Sequence, residues 1–255
     1  MTFKISKDSQ PWISDRLILL TTTGSHAYGT NIDGSDIDYK GVCIPPEEYF
    51  FGLKTFNEYN NTGGKNYKNT KDDVDVSIMH INKFVNDAMQ GVPNNIEILF
   101  VNEEHIIEIN QFGKELISHR QDFLSKVIKH KMGGYAHSQI QKLKTKSSNG
   151  TGRCDLVETY GYDVKFGAHS VRLLTSAIEI LKTGTFSTFR PNRDELIAIR
   201  NGKYTLEQIL VIIDDLDKEL NELYDNSNVI PKNPDYNKIN EWLIDLNKRA
   251  LTERW

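Results

Sequence analysis

Residues 24–42 read "GSHAYGTNIDGSDIDYKGV": a Gly-Ser pair, ten further residues, then two aspartates one residue apart. The lead-in, "RLILLTTTGS" (16–25), is a short apolar run ending in small polar residues, which predicts a buried strand entering a turn. "DIDYKGVCI" (36–44) predicts a second strand, closed by Pro45 and Pro46, which cannot continue a ladder. On a strand, side chains i and i+2 share a face. Asp36 and Asp38 are therefore expected to project together, with Ile37 and Tyr39 turned into the core. Two carboxylates so placed raise each other's pKa unless a cation lies between them. A hard divalent ion, Mg²⁺ foremost, fills that need with oxygen ligands. Upstream, Gly24 permits a tight turn, where backbone amides and the Ser25 hydroxyl can meet phosphate oxygens.

A two-metal site needs a further carboxylate to place the acceptor and its ion. "DDVDVSI" (72–78) offers Asp72, Asp73 and Asp75. Asp75 alone has apolar neighbours on both sides, Val74 and Val76, as a strand residue facing a cleft should, so Asp75 is assigned and Asp73 held in reserve. "DGSD" is also a respectable β-turn, in which aspartates cap backbone amides. The upstream Gly-Ser turn, the strand-like context and the later Asp75 together favour the metal reading. An EF-hand does not fit, since the glycine offset is wrong and no glutamate follows at the required distance. "TGGKN" (62–66) lacks the spacing and the strand–helix setting of a phosphate loop. His26 can approach phosphate or make a structural hydrogen bond, and Glu97 is expected to bond locally.

The chain of 255 residues, 38% hydrophobic and 26% charged, can bury a core as one large domain or two modest ones. Its longest apolar runs are four or five residues, against the roughly 20 of a membrane helix. The opening residues show no secretory pattern, and two cysteines make no disulfide framework, so a cytoplasmic location is expected. The formal net charge of -4 is unevenly spread. From 123 to 154 there is no acid, while Lys126, Lys129, Lys131, Lys142, Lys144, Lys146 and Arg153 add seven positive charges. Composition does not separate a solvated helix face from a surface for phosphates.

Residues 57–73 are polar and rich in Gly and Asn and predict a long loop. "VDVSIMHI" (74–81) predicts a third strand, after which Asn82 is expected to cap a helix ending at Gly91. Beyond residue 102 helical periodicity dominates, starting with "HIIEINQFGKELISHR" (105–120). The clearest helix spans 162–182, where Val164, Ala168, Val171, Leu174, Ile178 and Leu181 make one buried stripe. Beside it Lys165, His169 and Arg172 fall at i, i+4 and i+7, a row with no acid: either a solvated flank or a stripe for an anionic partner. Thr205 and Gln208 form a capping-box pattern, and a last amphipathic helix carries Ile239, Trp242, Leu243 and Leu246.

The Gly-Ser turn, the paired aspartates and the later strand aspartate resemble the DNA polymerase β-type nucleotidyltransferases. "GSHAYGT…SDIDYKGV" is similar to one branch, the RNA-ligase-associated nucleotidyltransferases of bacteria and phages. "GVPNNIEILF", "GGYAHSQIQKLK", "YGYDVKFGAHSVRLLTSAIEILKTG" and "AIRNGKYTLEQIL" extend the likeness to about residue 210. The resemblance implies an α+β fold, with a mixed sheet and flanking helices over residues 1–102 and a helical nucleotide- and acceptor-binding half over 103–255. It implies a Mg²⁺-dependent enzyme, with Mn²⁺ also suited, moving NMP from an NTP to a hydroxyl and releasing pyrophosphate. Asp36, Asp38 and Asp75 would be the catalytic metal ligands, and Gly24, Ser25, Lys165, His169 and Arg172 would hold the nucleotide as the long helix closes over it. RNA is the expected acceptor and the cytoplasm, a host's if the gene is a phage's, the expected place. A protein or small-molecule acceptor, or nucleotide binding without turnover, are the competing readings. The sequence sets neither the NTP preferred nor the oligomeric state.

Overall fold

The computed structural model describes residues 10–61, 75–144 and 154–253. The first apolar run becomes β1 (Leu17–Thr23), buried along its whole length. It enters a short helix, α1 (Gly24–Tyr28), and the chain returns antiparallel as β2 (Asp38–Cys43). Two further strands, β3 (Glu58–Asn61) and β4 (Asp75–His80), complete this side of the sheet. β4 lies parallel to β2, with Asp38 opposite Asp75, and β3 pairs antiparallel with β4. β4 passes directly into α2 (Ile81–Met89), and Pro93 opens α3 (Pro93–Leu99). β5 (Ile106–Ile109) then covers the free edge of β1, so the order is β3-β4-β2-β1-β5.

Four local expectations change. Residues 105–120 are not one helix: Ile106, Ile107 and Ile109 extend along β1, because β-branched side chains suit a strand and the β1 edge needs a partner. Asn110 separates the two elements. Its side-chain oxygen accepts from the Phe112 and Gly113 amides at 3.0 and 3.1 Å and starts α4 (Gln111–Ser118). Asn82 does not cap α2; His80 does, its Nδ1 accepting from the Asn82 amide at 3.0 Å. Ile37 is 41% exposed rather than buried, because β2 begins only at Asp38. Within the expected loop at 57–73, residues 58–61 pair with β4; Asp72, Asp73 and the "TGGKN" segment lie outside the described residues.

The second half is built from α5 (Val127–Lys144), α6 (Cys154–Tyr160), α7 (Val164–Thr183), α8 (Arg193–Arg200), α9 (Leu206–Asn226) and α10 (Tyr236–Thr252). α7 is central and packs against α5, α8 and α9. The apolar stripe read from its periodicity is buried throughout, and so are flanking residues such as Phe166, Leu173, Ala177 and Ile180. α9 opens with the Thr205–Gln208 capping box. α10 packs back on the first half, stacking Trp242 on His119 with ring centroids 4.6 Å apart. β5 lies beyond residue 102, so the sheet draws on both sides of that position, and one apolar cluster runs from Ile18 to Ala250. No helix of the described residues is long and apolar enough to cross a membrane.

Candidate active site

A cleft of about 420 Å³ opens where the strand ends of the first half meet α7 and α8, within the size range of small-ligand sites. Gly24, Ser25, Tyr28 and Thr30 form one wall, Asp36 and Asp38 the floor, and Lys165, His169, Arg172 and Arg200 the opposite wall. Seven of the residues singled out in the sequence therefore share one cavity although 148 positions separate Gly24 from Arg172. Asp75 is not part of the lining; it stands one strand over, paired in register with Asp38.

The acidic floor follows from the sheet. Thr23 of β1 is opposite Asp38 of β2, so the Gly-Ser segment begins where the Asp38 side chain emerges. Gly24 adopts φ +68°, and a Cβ there would stand 2.5 Å from Asp38 Oδ2. Only glycine combines that backbone with that approach. His26 takes the structural option, its Nε2–H lying 3.3 Å from the Ser35 carbonyl that accepts it. Burial, then the charges of Asp75 and Asp36, push the Asp38 carboxyl above its usual range, while Lys40 and His26 pull the other way.

Those carboxylates fit a hard divalent cation in kind. They are oxygen donors, and the charges of Asp75 and Asp36 add to burial in raising the proton affinity of Asp38, which is the condition a cation relieves. In the side-chain arrangement described, no three His, Cys, Asp or Glu residues are drawn together tightly enough to hold an ion.

The opposite wall starts with Asp163, whose carboxylate accepts from the Lys165 and Phe166 amides at 3.0 and 3.3 Å and caps α7. Lys165, His169 and Arg172 follow on successive turns. Lys165 is exposed, His169 half-buried and Arg172 only 4% exposed. α7 supplies no acid to this stripe, but α3 does: Arg172 pairs with Glu97. Burial opposes the guanidinium's charge, yet Glu97 and Tyr28 hold its pKa above the ordinary value. Glu97 was expected to bond locally; its side chain instead bonds across elements, to Arg172 of α7 and Tyr28 of α1, 75 and 69 positions away.

Sequence reasoning missed Tyr28, Thr30 and Arg200. Arg200 donates to the Thr30 carbonyl across the cleft and lies in the "AIRNG" segment, whose only signal was its likeness to the family. Nothing in linear order could place Tyr28, on the α1 turn, against residues of α3 and α7.

A family model described as "RNA repair pathway DNA polymerase beta family" matches residues 3–245. The chain belongs to the RNA repair pathway DNA polymerase beta family. Its membership agrees with the resemblance carried by the Gly-Ser turn and the paired aspartates. An enterobacteria phage T4 protein, "Uncharacterized 38.9 kDa protein in nrdC-mobD intergenic region", is 29% identical over 128 residues, which is 49% of this chain and 38% of the phage protein. The matched segment thus spans well under half the length of that relative. Among solved structures, a nucleotidyltransferase-like protein from Exiguobacterium sibiricum aligns over 82% of this chain and 72% of its own, at 12% identity and TM-score 0.32.

Proposed function

We propose that the protein is a Mg²⁺-dependent nucleotidyltransferase that moves NMP from an NTP to a hydroxyl on RNA, with pyrophosphate leaving. The observation that carries this reading is the register pairing of Asp38 with Asp75 beneath a cleft whose far wall is cationic. In the reaction the acceptor oxygen bonds to the α-phosphorus, the bond from that phosphorus to the bridging oxygen breaks, and the hydroxyl proton passes to solvent. Asp36, Asp38 and Asp75 would hold Mg²⁺, or Mn²⁺, which when bound lowers the hydroxyl's pKa and neutralises phosphate charge. The Gly24 backbone and the Ser25 hydroxyl would meet the β- and γ-phosphates. Lys165 and Arg200 would face them with positive charge, and His169 with a ring donor. Asp75, outside the lining and beside Asp38, suits the acceptor side, and holding the acceptor in line is worth several orders of magnitude in rate.

Incubation with each α-labelled NTP, Mg²⁺ and total RNA should place label in RNA. Asp75→Ala should keep NTP binding and abolish transfer, whereas Asp73→Ala should matter far less. Transfer that persists in excess EDTA sinks the metal requirement.

One observation favours a second acceptor class. Lys126 donates to the Tyr224 carbonyl at 2.7 Å, Lys129 lies 5.2 Å over the Tyr224 ring, and Lys142 lies 5.2 Å over Phe166. Three cations of the acid-free segment are thus engaged with α9 and α7 rather than presented as one surface. Label appearing on protein or a small molecule instead of RNA would select this reading.

A further inference from the structure

Arg172 is gripped on three sides. One guanidinium nitrogen donates to Glu97 Oε1, the Tyr28 ring lies 3.9 Å from its Cζ, and Nη2 stands 3.3 Å from His169 Nδ1. The second oxygen of Glu97 accepts from the Tyr28 hydroxyl at 2.7 Å. Thr188 Oγ1 donates to the Glu97 carbonyl at 2.6 Å and anchors the acid's backbone. Burial, with Glu97 beside it, pushes the Tyr28 phenol far above its usual range, so it remains a donor. The Arg172–Glu97 pair is neutral as a unit, so Arg172 brings little net charge to a triphosphate.

What it brings is direction. A guanidinium has donors and no acceptor, so the His169 Nδ1 that faces it must accept, and the ring proton must reside on Nε2. The His169 ring lines the cleft. We propose that Tyr28, Glu97 and Arg172 form a positioning cluster that holds His169 as the neutral Nε2–H tautomer, offering that N–H to a phosphate oxygen of the bound NTP. A neutral donor discriminates by direction: it rewards an oxygen in the right place and adds no charge that would retain pyrophosphate after transfer. This inference rests on the nucleotide reading of the cleft.

The test uses the full-length, ¹⁵N-labelled protein. Long-range ¹H–¹⁵N spectra of the free protein near neutral pH should show His169 protonated at Nε2 and bare at Nδ1. Adding a non-hydrolysable ATP or GTP analogue with Mg²⁺ should move the Nε2 resonance. Glutamine places an amide N–H near the position of Nε2 and asparagine near that of Nδ1. His169→Gln should therefore keep analogue affinity within about threefold, and His169→Asn should weaken it about tenfold or more, the scale of one hydrogen bond to a charged acceptor. Glu97→Gln should mix the two tautomers; should that variant fail to fold, the His169 pair and the wild-type spectrum still decide. Analogue binding with His169 protonated at Nδ1, or equal losses in the two His169 variants, overturns the positioning role alone. Failure of the wild type to bind either analogue with Mg²⁺ overturns the nucleotide reading, and the Nε2 contact with it.

Discussion

A methyl group on residue 24 would meet the Asp38 carboxylate, and the backbone there is left-handed, so Gly24→Ala acts on the acidic floor rather than on the core. Displacing a reacting group by about 1 Å can cost roughly a hundredfold in rate. Gly24→Ala should therefore reduce label transfer by about that factor while leaving the circular dichroism spectrum unchanged; full activity would mean Asp38 can move without consequence. Asp38 makes the opposite kind of prediction. Its raised pKa means that ionising it costs more in the folded chain than in the unfolded one. That penalty is absent below the ordinary 3.8 and grows as pH rises through it toward the raised folded value. Near neutrality, Asp38→Asn should raise the metal-free melting temperature, by about 2 °C on the scale of a small stabilisation. Mg²⁺ should then raise the melting temperature of the wild type but not of the variant, and a lower melting temperature for the variant without metal would contradict the ionisation penalty.

At the scale of elements, the junction of β4 and α2 turns on His80. Burial pulls its pKa from the ordinary 6.5 down to about 4; the ring accepts the Asn82 amide through Nδ1 and packs beside Phe50, 4.8 Å between ring centroids. The unfolded chain binds a proton at His80 between those two values and the folded chain does not. The contribution is thus complete above pH 6.5 and is lost as pH falls toward 4. Melting temperature measured across that window should fall more steeply for the wild type than for His80→Asn, which keeps a capping acceptor but cannot titrate. Parallel curves would show that His80 protonates without breaking the cap. At the β1 edge, Gly113 of α4 lies against the Ile18 carbonyl, a close approach of helix to strand that no periodicity reveals.

For the whole molecule, the acid-free segment from 123 to 154 is the surface that an RNA acceptor would use. Lysine contacts to phosphates make nucleic-acid affinity fall by roughly 0.7 to 0.9 log units per contact for each tenfold rise in salt. Changing Lys142, Lys144 and Lys146 together to glutamine should flatten that slope and raise the KM for RNA, with the KM for NTP nearly constant. Loss of NTP affinity would move these lysines into the nucleotide site. No change in either constant would make the basic run a solvated face and turn attention to the second acceptor class.

The strands around the Gly-Ser turn, the central helix with its buried stripe and the Thr205–Gln208 cap were legible because each is set within a few residues by side-chain period and capping chemistry. The chemical kinds at the site, carboxylates on one side and cations on the other, were legible for the same reason: they are properties of residue type and spacing. What lies between elements was not. That Ile106–Ile109 extend as β5 depended on the unpaired edge of β1. That Asp75 stands beside Asp38 depended on a parallel pairing across 37 positions of chain. The burial of Arg172 against Glu97 and Tyr28 depended on three elements meeting. Linear order specifies a donor or an acceptor, but its partner is chosen by packing, and so the tertiary structure alone decided which charges face the cleft and which are spent within the protein.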